Sequence, residues 1–192
     1  MEQFIRTHLP KPTDKILDVG GFPEFWRDSG VESHLTIINL QPIAPPTDNP
    51  KIVTAIADGT KLPYSDRSFD IVFSNSVIEH VHTFDQQRKF ALECMRVGKA
   101  LWIQTPALIF PIEPHYLTPL VHYFPKTWQR RLIRRFTVWA WLTHPNQEMV
   151  DRYVDEIRLL TLAELKDLFP TCEIRRERFL GLIKSYVVVR RA

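Results

Sequence analysis

The 192-residue chain is most informative first in what it lacks. It has two cysteines, Cys94 and Cys172. They allow at most one disulfide, have no metal-knuckle spacing, and read as reduced thiols of a cytosolic protein. No run of 18 or more apolar residues occurs, so no transmembrane helix is expected. The first residues, MEQFIRTHLPKP, lack the apolar core of a secretory signal. There are no internal repeats and no low-complexity tract. Asp and Glu are absent from 114–147, where Lys126, Arg130, Arg131, Arg134 and Arg135 supply five positive charges. With a net charge of +3 overall, the rest of the chain sums to −2, so positive charge is local. A nucleic-acid-binding protein would show a broader basic field, and no nucleic-acid partner is expected. The dinucleotide fingerprint GxGxxG is also missing, which argues against NAD.

What is present is ordinary globular composition, 44% hydrophobic and 24% charged, at a length suited to one α/β domain. Lys15 to Val19 is a short apolar run ending at Gly20-Gly21, the pattern of a buried parallel strand entering a tight turn. Pro23 opens a short helix over Glu24 to Ser29, closed by Gly30. Strands are expected at 34–40, 51–57, 69–75 and 100–105, with the proline-rich QPIAPPTDNP as an extended crossover. Thr83 to Val97 has helical apolar spacing, with Gly98 as its cap. Near the end, Thr161 and Glu164 form a capping box for a helix to Phe169, and two strands follow around Gly181. The expected fold is α/β, a mostly parallel, Rossmann-like, seven-stranded sheet with an antiparallel C-terminal edge hairpin. It forms one domain over 1–192, with a helical insertion or cap after the fifth strand at about 106–146, where the alternation is lost.

In open parallel sheets ligands bind beyond the carboxyl ends of the strands, where strand order reverses. Asp18 with Gly20-Gly21, Asn39, Asp58-Gly59 and Asn75-Ser76 occupy those ends here. They supply acceptors for ribose hydroxyls and an adenine amino group, and glycine permits close backbone approach. Three stretches carry a resemblance: ILDVGG at Ile16–Gly21, LTIINLQP at Leu35–Pro42, and IADGTKLPYSDRSFDIVFSNSVIEHV at Ile56–Val81. In that order and spacing the chain resembles the class I methyltransferases that use S-adenosylmethionine, in particular the group related to ubiquinone and menaquinone biosynthetic methyltransferases. The resemblance implies that Asp18, Gly20 and Gly21 shape the loop under the methionine part of the cofactor. It places Asn39, with Leu40 beside it, at the ribose, Asp58 at the adenine amino group, Gly59 against the ring, and Asn75 near the sulfonium. Two departures stand out. Asn39 replaces the family's usual acid, which predicts weaker cofactor binding, and Phe22-Pro23 replaces a further glycine, which stiffens the turn.

Methyl transfer to an oxygen or carbon nucleophile benefits from a base near neutral pH. His80, after the fourth strand, and Glu113 and His115, in the proline-stiffened FPIEPHYLTPLVHY, are the candidate catalytic residues; His122 lies in the same stretch. A metal site built from His80, His82, His115 and Glu113 is the lesser alternative, and no metal is expected. Lys126 to Leu142 reads as one amphipathic helix, with Trp128, Leu132, Phe136, Trp139 and Ala140 on a single face opposite the arginines. The favoured reading is a cover over the active site, and the alternative is peripheral contact with a membrane through 126–142. The partner implied is a small-molecule or lipid-linked acceptor, and the location cytoplasmic. A non-catalytic cofactor-binding protein of the same fold is the competing function.

Overall fold

The computed structural model describes residues 1–46, 49–113 and 118–192, with the side chain of Glu113 outside that description. Five parallel strands, β1 (Lys15–Val19), β2 (His34–Asn39), β3 (Ile52–Ile56), β4 (Phe69–Asn75) and β5 (Gly98–Pro106), form most of one sheet. β6 (Ile112–Glu113) and β7 (Thr118–Pro119) pair separately, and β8 (Glu173–Phe179) and β9 (Leu182–Arg190) complete the main sheet as an antiparallel hairpin. The order is β3-β2-β1-β4-β5-β9-β8, so strand order reverses between β1 and β4. The mostly parallel seven-stranded sheet with its antiparallel edge is therefore as the sequence predicts.

The strands look continuously apolar because both faces are covered. Leu17, Val72, Leu101 and Val188 pack on one face against α3 (Phe84–Val97) and α7 (Leu162–Leu168). Their neighbours Ile16, Phe73, Trp102 and Val187 pack on the other, against Phe4 of α1 (Glu2–His8) and Trp26 of α2 (Pro23–Arg27). Helix α1 is an element the sequence reading leaves out. Its seven residues are too few for a clear period, and Phe4 is its one buried side chain, with Ile5 and His8 half-buried beside it. The capping box at Thr161 and Glu164 forms as predicted.

Gly98 caps α3 as expected; it is extended, at φ −94°, its amide donates to the Cys94 carbonyl, and it also opens β5. Its lack of a side chain serves packing, since a Cβ there would stand 2.7 Å from Val72 Cγ2. One expectation is corrected. The expected single helix over 126–142 is two helices, α4 (Lys126–Phe136) and α5 (Val138–Thr143), broken at Thr137. Thr137 Oγ1 donates to the Ile133 carbonyl at 2.7 Å and accepts from the Ala140 amide at 3.1 Å, so one hydroxyl ends the first helix and starts the second. The apolar face also differs. Ile133 and Ala140 point inward, whereas Trp128 and Phe136 are exposed. α4 packs on α6 (Gln147–Glu156) around a small core of Val121, Ile133, Val150 and Val154, and Arg130 pairs with Asp155 at 2.6 Å and Asp151 at 3.3 Å.

Candidate functional site

The carboxyl ends of β3, β2, β1 and β4 lie side by side across the point where strand order reverses. They bring Asp58-Gly59, Asn39-Leu40, Asp18 with Gly20-Gly21, and Asn75 to one edge of the sheet. The turn after β1 is interlocked with its neighbours. Gly20 has φ +81°, and a Cβ on it would sit 2.6 Å from Val77 Cγ2. A Cβ on Gly21 would fall 1.8 Å from Asp18 Oδ2. The first glycine is thus required by backbone conformation as well as by space, and the second by the carboxylate beneath it.

That carboxylate is fully buried. Strand alternation turns Asp18 toward the α2 side, where Trp26, Phe73 and Phe4 form an aromatic cluster with centroids 4.9–5.9 Å apart. Trp26 Nε1 donates to Asp18 Oδ2 at 2.6 Å, while Oδ1 has no partner among the described residues. Burial pushes the Asp18 carboxyl up to about 7, and the Trp26 hydrogen bond pulls it partly back.

Asn39 holds the other side of the turn, its Nδ2 donating to the Gly21 carbonyl at 2.6 Å. The residue that departs from the family pattern is therefore a latch on the glycine turn, a role an acid could not take, and its Oδ1 remains to accept. Asp58 Oδ1 accepts from the amide and hydroxyl of Thr60, both at 2.8 Å, closing an Asx turn. Gly59 presses on the core; a Cβ there would stand 2.9 Å from the Phe90 ring. Phe22, Leu40 and Ile56 are large apolar side chains left exposed after β1, after β2 and at the end of β3.

Beyond β4 the chain forms a 3-10 turn, Ile78–His80, that anchors a buried polar network. Thr105 Oγ1 donates to Glu79 Oε2 at 2.9 Å, and the Arg158 amide donates to the Glu79 carbonyl at 2.8 Å. Gln87 Nε2 donates to the carbonyls of Ile78 and Arg158 at 3.0 and 2.9 Å, and Arg158 Nη1 donates to Gln87 Oε1 at 2.7 Å. His80 Nδ1 meets Glu156 Oε1 at 3.0 Å, tying this turn to α6. His122 Nε2 meets the Leu108 carbonyl at 3.1 Å. His115 and the side chain of Glu113 lie outside the described residues, and His82 is exposed in a left-handed turn. No group of three His, Cys, Asp or Glu able to hold a metal forms among the described residues.

The sequence reading misses Trp26, Gln87, Arg158 and Glu156. Only Trp26 carries a local signal, an aromatic on the helix that must pack against the strand holding Asp18. The others meet across 71 or more residues, beyond any spacing rule.

A cavity of about 560 Å³ opens beside this network, next along the same sheet edge. Leu108, Ile109, Leu162 and Ile183 wall it, with Tyr123, Tyr186 and Arg176 as its polar groups. A second cavity, of about 320 Å³, lies at the opposite edge, where Asp70 and Lys99 begin β4 and β5.

The comparisons with known proteins agree with this geometry. Residues 31–100 match a methyltransferase domain family. An uncharacterised protein of Mycobacterium tuberculosis is 31% identical over 70 residues, 36% of this chain and 23% of its own length. A SAM-dependent methyltransferase from Aquifex aeolicus superposes with a TM-score of 0.53 at 16% identity, over 98% of this chain and 87% of that one. This is the class I methyltransferase fold. A Rhodobacter sphaeroides protein described as a putative zinc-dependent alcohol dehydrogenase gives a TM-score of 0.61 at 12% identity, over 100% and 89% of the two chains. Likenesses at such identity are of fold alone, and the turn after β1 is where a dinucleotide-binding Rossmann fold carries its glycine fingerprint. Here that turn is ILDVGG followed by Phe22-Pro23, without a dinucleotide fingerprint.

Proposed function

We propose that the chain binds S-adenosylmethionine across the carboxyl ends of β1 to β4 and transfers its methyl group to a small-molecule or lipid-linked acceptor. The observation that carries this reading is the convergence of complementary groups at four neighbouring strand ends. Gly20-Gly21 form a turn without side chains, interlocked with Val77 and the Asp18 carboxylate beneath it. Asp18 has an oxygen without a partner among the described residues, and its ionised form favours a cationic ligand above. Asn39 Oδ1 and the Asp58 carboxylate are acceptors suited to ribose hydroxyls and an adenine amino group. Exposed Phe22, Leu40 and Ile56 offer apolar surface to a flat ring. Asn75 and the turn after β4 face the region where chemistry follows.

When bound, the cofactor supplies an electrophilic methyl on a sulfonium, so the protein mainly has to align the acceptor and exclude water. The cavity beyond β5 suits that acceptor. Its apolar walls take a hydrocarbon body, and Arg176, which makes no ion pair among the described residues, takes an anionic or strongly polar group. His80 is the base we assign to an acceptor proton, with Glu156 at Nδ1 orienting the ring as a carboxylate orients a catalytic histidine.

Calorimetric titration with S-adenosylmethionine is the test. Saturable binding that Asp58→Ala weakens at least about tenfold is expected, the loss of a hydrogen bond to a charged group. S-adenosylhomocysteine should then accumulate with an amphiphilic anionic acceptor and not with its neutral analogue. Absence of binding even at millimolar cofactor overturns the reading. Binding without turnover on any acceptor favours the non-catalytic alternative.

A further inference from the structure

The corner between α4 and α5 is built outward. On α5 the inward positions are Trp139 and Ala140, while Val138, Trp141 and Leu142, at i, i+3 and i+4, form one stripe facing solvent. Trp141 is 75% exposed, Leu142 64%, and Phe136, two residues before the helix starts, 72%. On α4, Trp128 is 60% exposed and stands with Arg131 and Arg135 at i, i+3 and i+7, again one face. Its ring stacks on Phe124 with centroids 6.3 Å apart. A soluble monomer rarely leaves so many aromatics in one short segment without a partner for them.

The charges show which partner. Arg130 and Lys126 turn to the acids of α6. Arg131, Arg134 and Arg135 are exposed and make no ion pair among the described residues. No Asp or Glu occurs anywhere in 114–147 to neutralise them. Among the described residues no helix is long and apolar enough to cross a membrane. Exposed tryptophans flanked by arginines are the composition of a segment lying at a lipid headgroup boundary, the rings at the interface and the guanidinium groups on phosphates.

We propose that the α4–α5 corner docks the protein on an anionic bilayer surface, with Phe136, Val138, Trp141 and Leu142 entering the interface and Arg131, Arg134 and Arg135 pairing with lipid phosphates. This does not depend on the methyl-transfer reading, since it uses no residue of the cofactor edge. Were both to hold, the membrane would present a lipid-linked acceptor near the cavity beyond β5, because Tyr123 lines that cavity and lies just ahead of the basic corner.

The test is flotation of the full chain with phosphatidylcholine vesicles containing or lacking phosphatidylglycerol. Binding is expected to the anionic vesicles alone and to fall with added salt. Each arginine near such a surface contributes about fivefold to partitioning, so Arg134→Gln with Arg135→Gln should weaken it about thirtyfold. Trp141→Ser with Leu142→Ser should abolish it. Tryptophan emission should shift to the blue on vesicle addition in the wild type, and much less in Trp128→Phe/Trp141→Phe. All these side chains are exposed, so the variants should melt as the wild type does, and loss of binding then reports docking. Wild-type protein that stays unbound on anionic vesicles overturns the proposal, as does binding that ignores these substitutions. So does a dimer in light scattering that Trp141→Ser/Leu142→Ser converts to monomer, since the corner would then serve a second copy.

Discussion

Asp18→Asn gives the sharpest physical test of the candidate site. The wild-type carboxyl is pushed up to about 7 by burial, against an ordinary carboxylate value near 4. The folded protein therefore holds a proton that the unfolded chain releases, and stability falls as pH rises from about 4 through about 7. Integrated from pH 4.5 to 8.5, ionising this group removes about 3 kcal/mol. For a domain of this size that corresponds to about 6–12 °C in Tm. Asparagine preserves the shape and still accepts from Trp26 Nε1, but cannot ionise. The variant should therefore melt close to the wild type at pH 4.5 and well above it at pH 8.5. His8 is common to both proteins and complicates either curve taken by itself. Burial pushes its imidazole down to about 4 despite a backbone hydrogen bond at Leu101 that opposes the shift. It adds stability as pH rises through about 4 to 6.5, which opposes Asp18. The quantity to follow is thus the difference in Tm between variant and wild type, measured by calorimetry across pH 4.5–8.5. A constant difference would refute the burial argument. The same substitution should weaken S-adenosylmethionine binding at pH 8 and change it little at pH 5, where the wild-type carboxyl is already protonated.

Two further substitutions test the turn. Gly21→Ala places a methyl 1.8 Å from Asp18 Oδ2, so the turn must rebuild. A loss of about 2–3 kcal/mol in urea unfolding and of detectable cofactor binding is expected, and a variant that folds and binds as the wild type does would show the interlock to be unimportant. Asn39→Asp, which restores the family's usual residue type, should lower the stability of the free protein by about 1–2 kcal/mol, because a carboxylate faces the Gly21 carbonyl where an amide donated. Thermal melts at pH 7 check it, and an unchanged or higher Tm would mean that the latch contributes nothing.

The order of elements, the hairpin edge and the strand-end positions of the candidate site are legible in the sequence because each rests on local signals. Apolar runs of five to seven residues end at a glycine, an acid or an asparagine, and the right-handed crossover rule then leaves little choice of where those ends lie. Asp18, Asn39, Asp58 and Asn75 are readable as strand ends for that reason. What Asn39 does is not readable, because its partner, the Gly21 carbonyl, is a backbone atom 18 residues away in the turn after the neighbouring strand. The helix over 126–142 fails differently. Its period is real, but Thr137 bonds to the backbone in both directions and breaks the helix, which resets the phase. Ile133 then joins Ala140 and Trp139 on the inner side, and Trp128 and Phe136, expected inside, turn out. No scan for hydrophobic period carries that switch, since the tertiary partner α6 decides which face is wanted.

The turn after β1 satisfies itself incompletely, and that bears on how a ligand would be held. Asn39 fills the Gly21 carbonyl, and Trp26 fills one oxygen of Asp18, but the second oxygen has no partner among the described residues and sits in an aromatic cluster. In the free protein at neutral pH that oxygen is best served by a proton, so about half the molecules would carry one at a pKa of about 7. A positive charge bound over Gly20-Gly21 favours the ionised form and expels the proton. Binding of a cationic ligand should then release close to half a proton at pH 7, fewer at pH 8.5, and none in Asp18→Asn. Titrations in buffers of different ionisation enthalpy read that number directly. No released proton at pH 7 would mean that the charge of the ligand does not reach Asp18, and the carboxyl would then be only a packing element under the glycines.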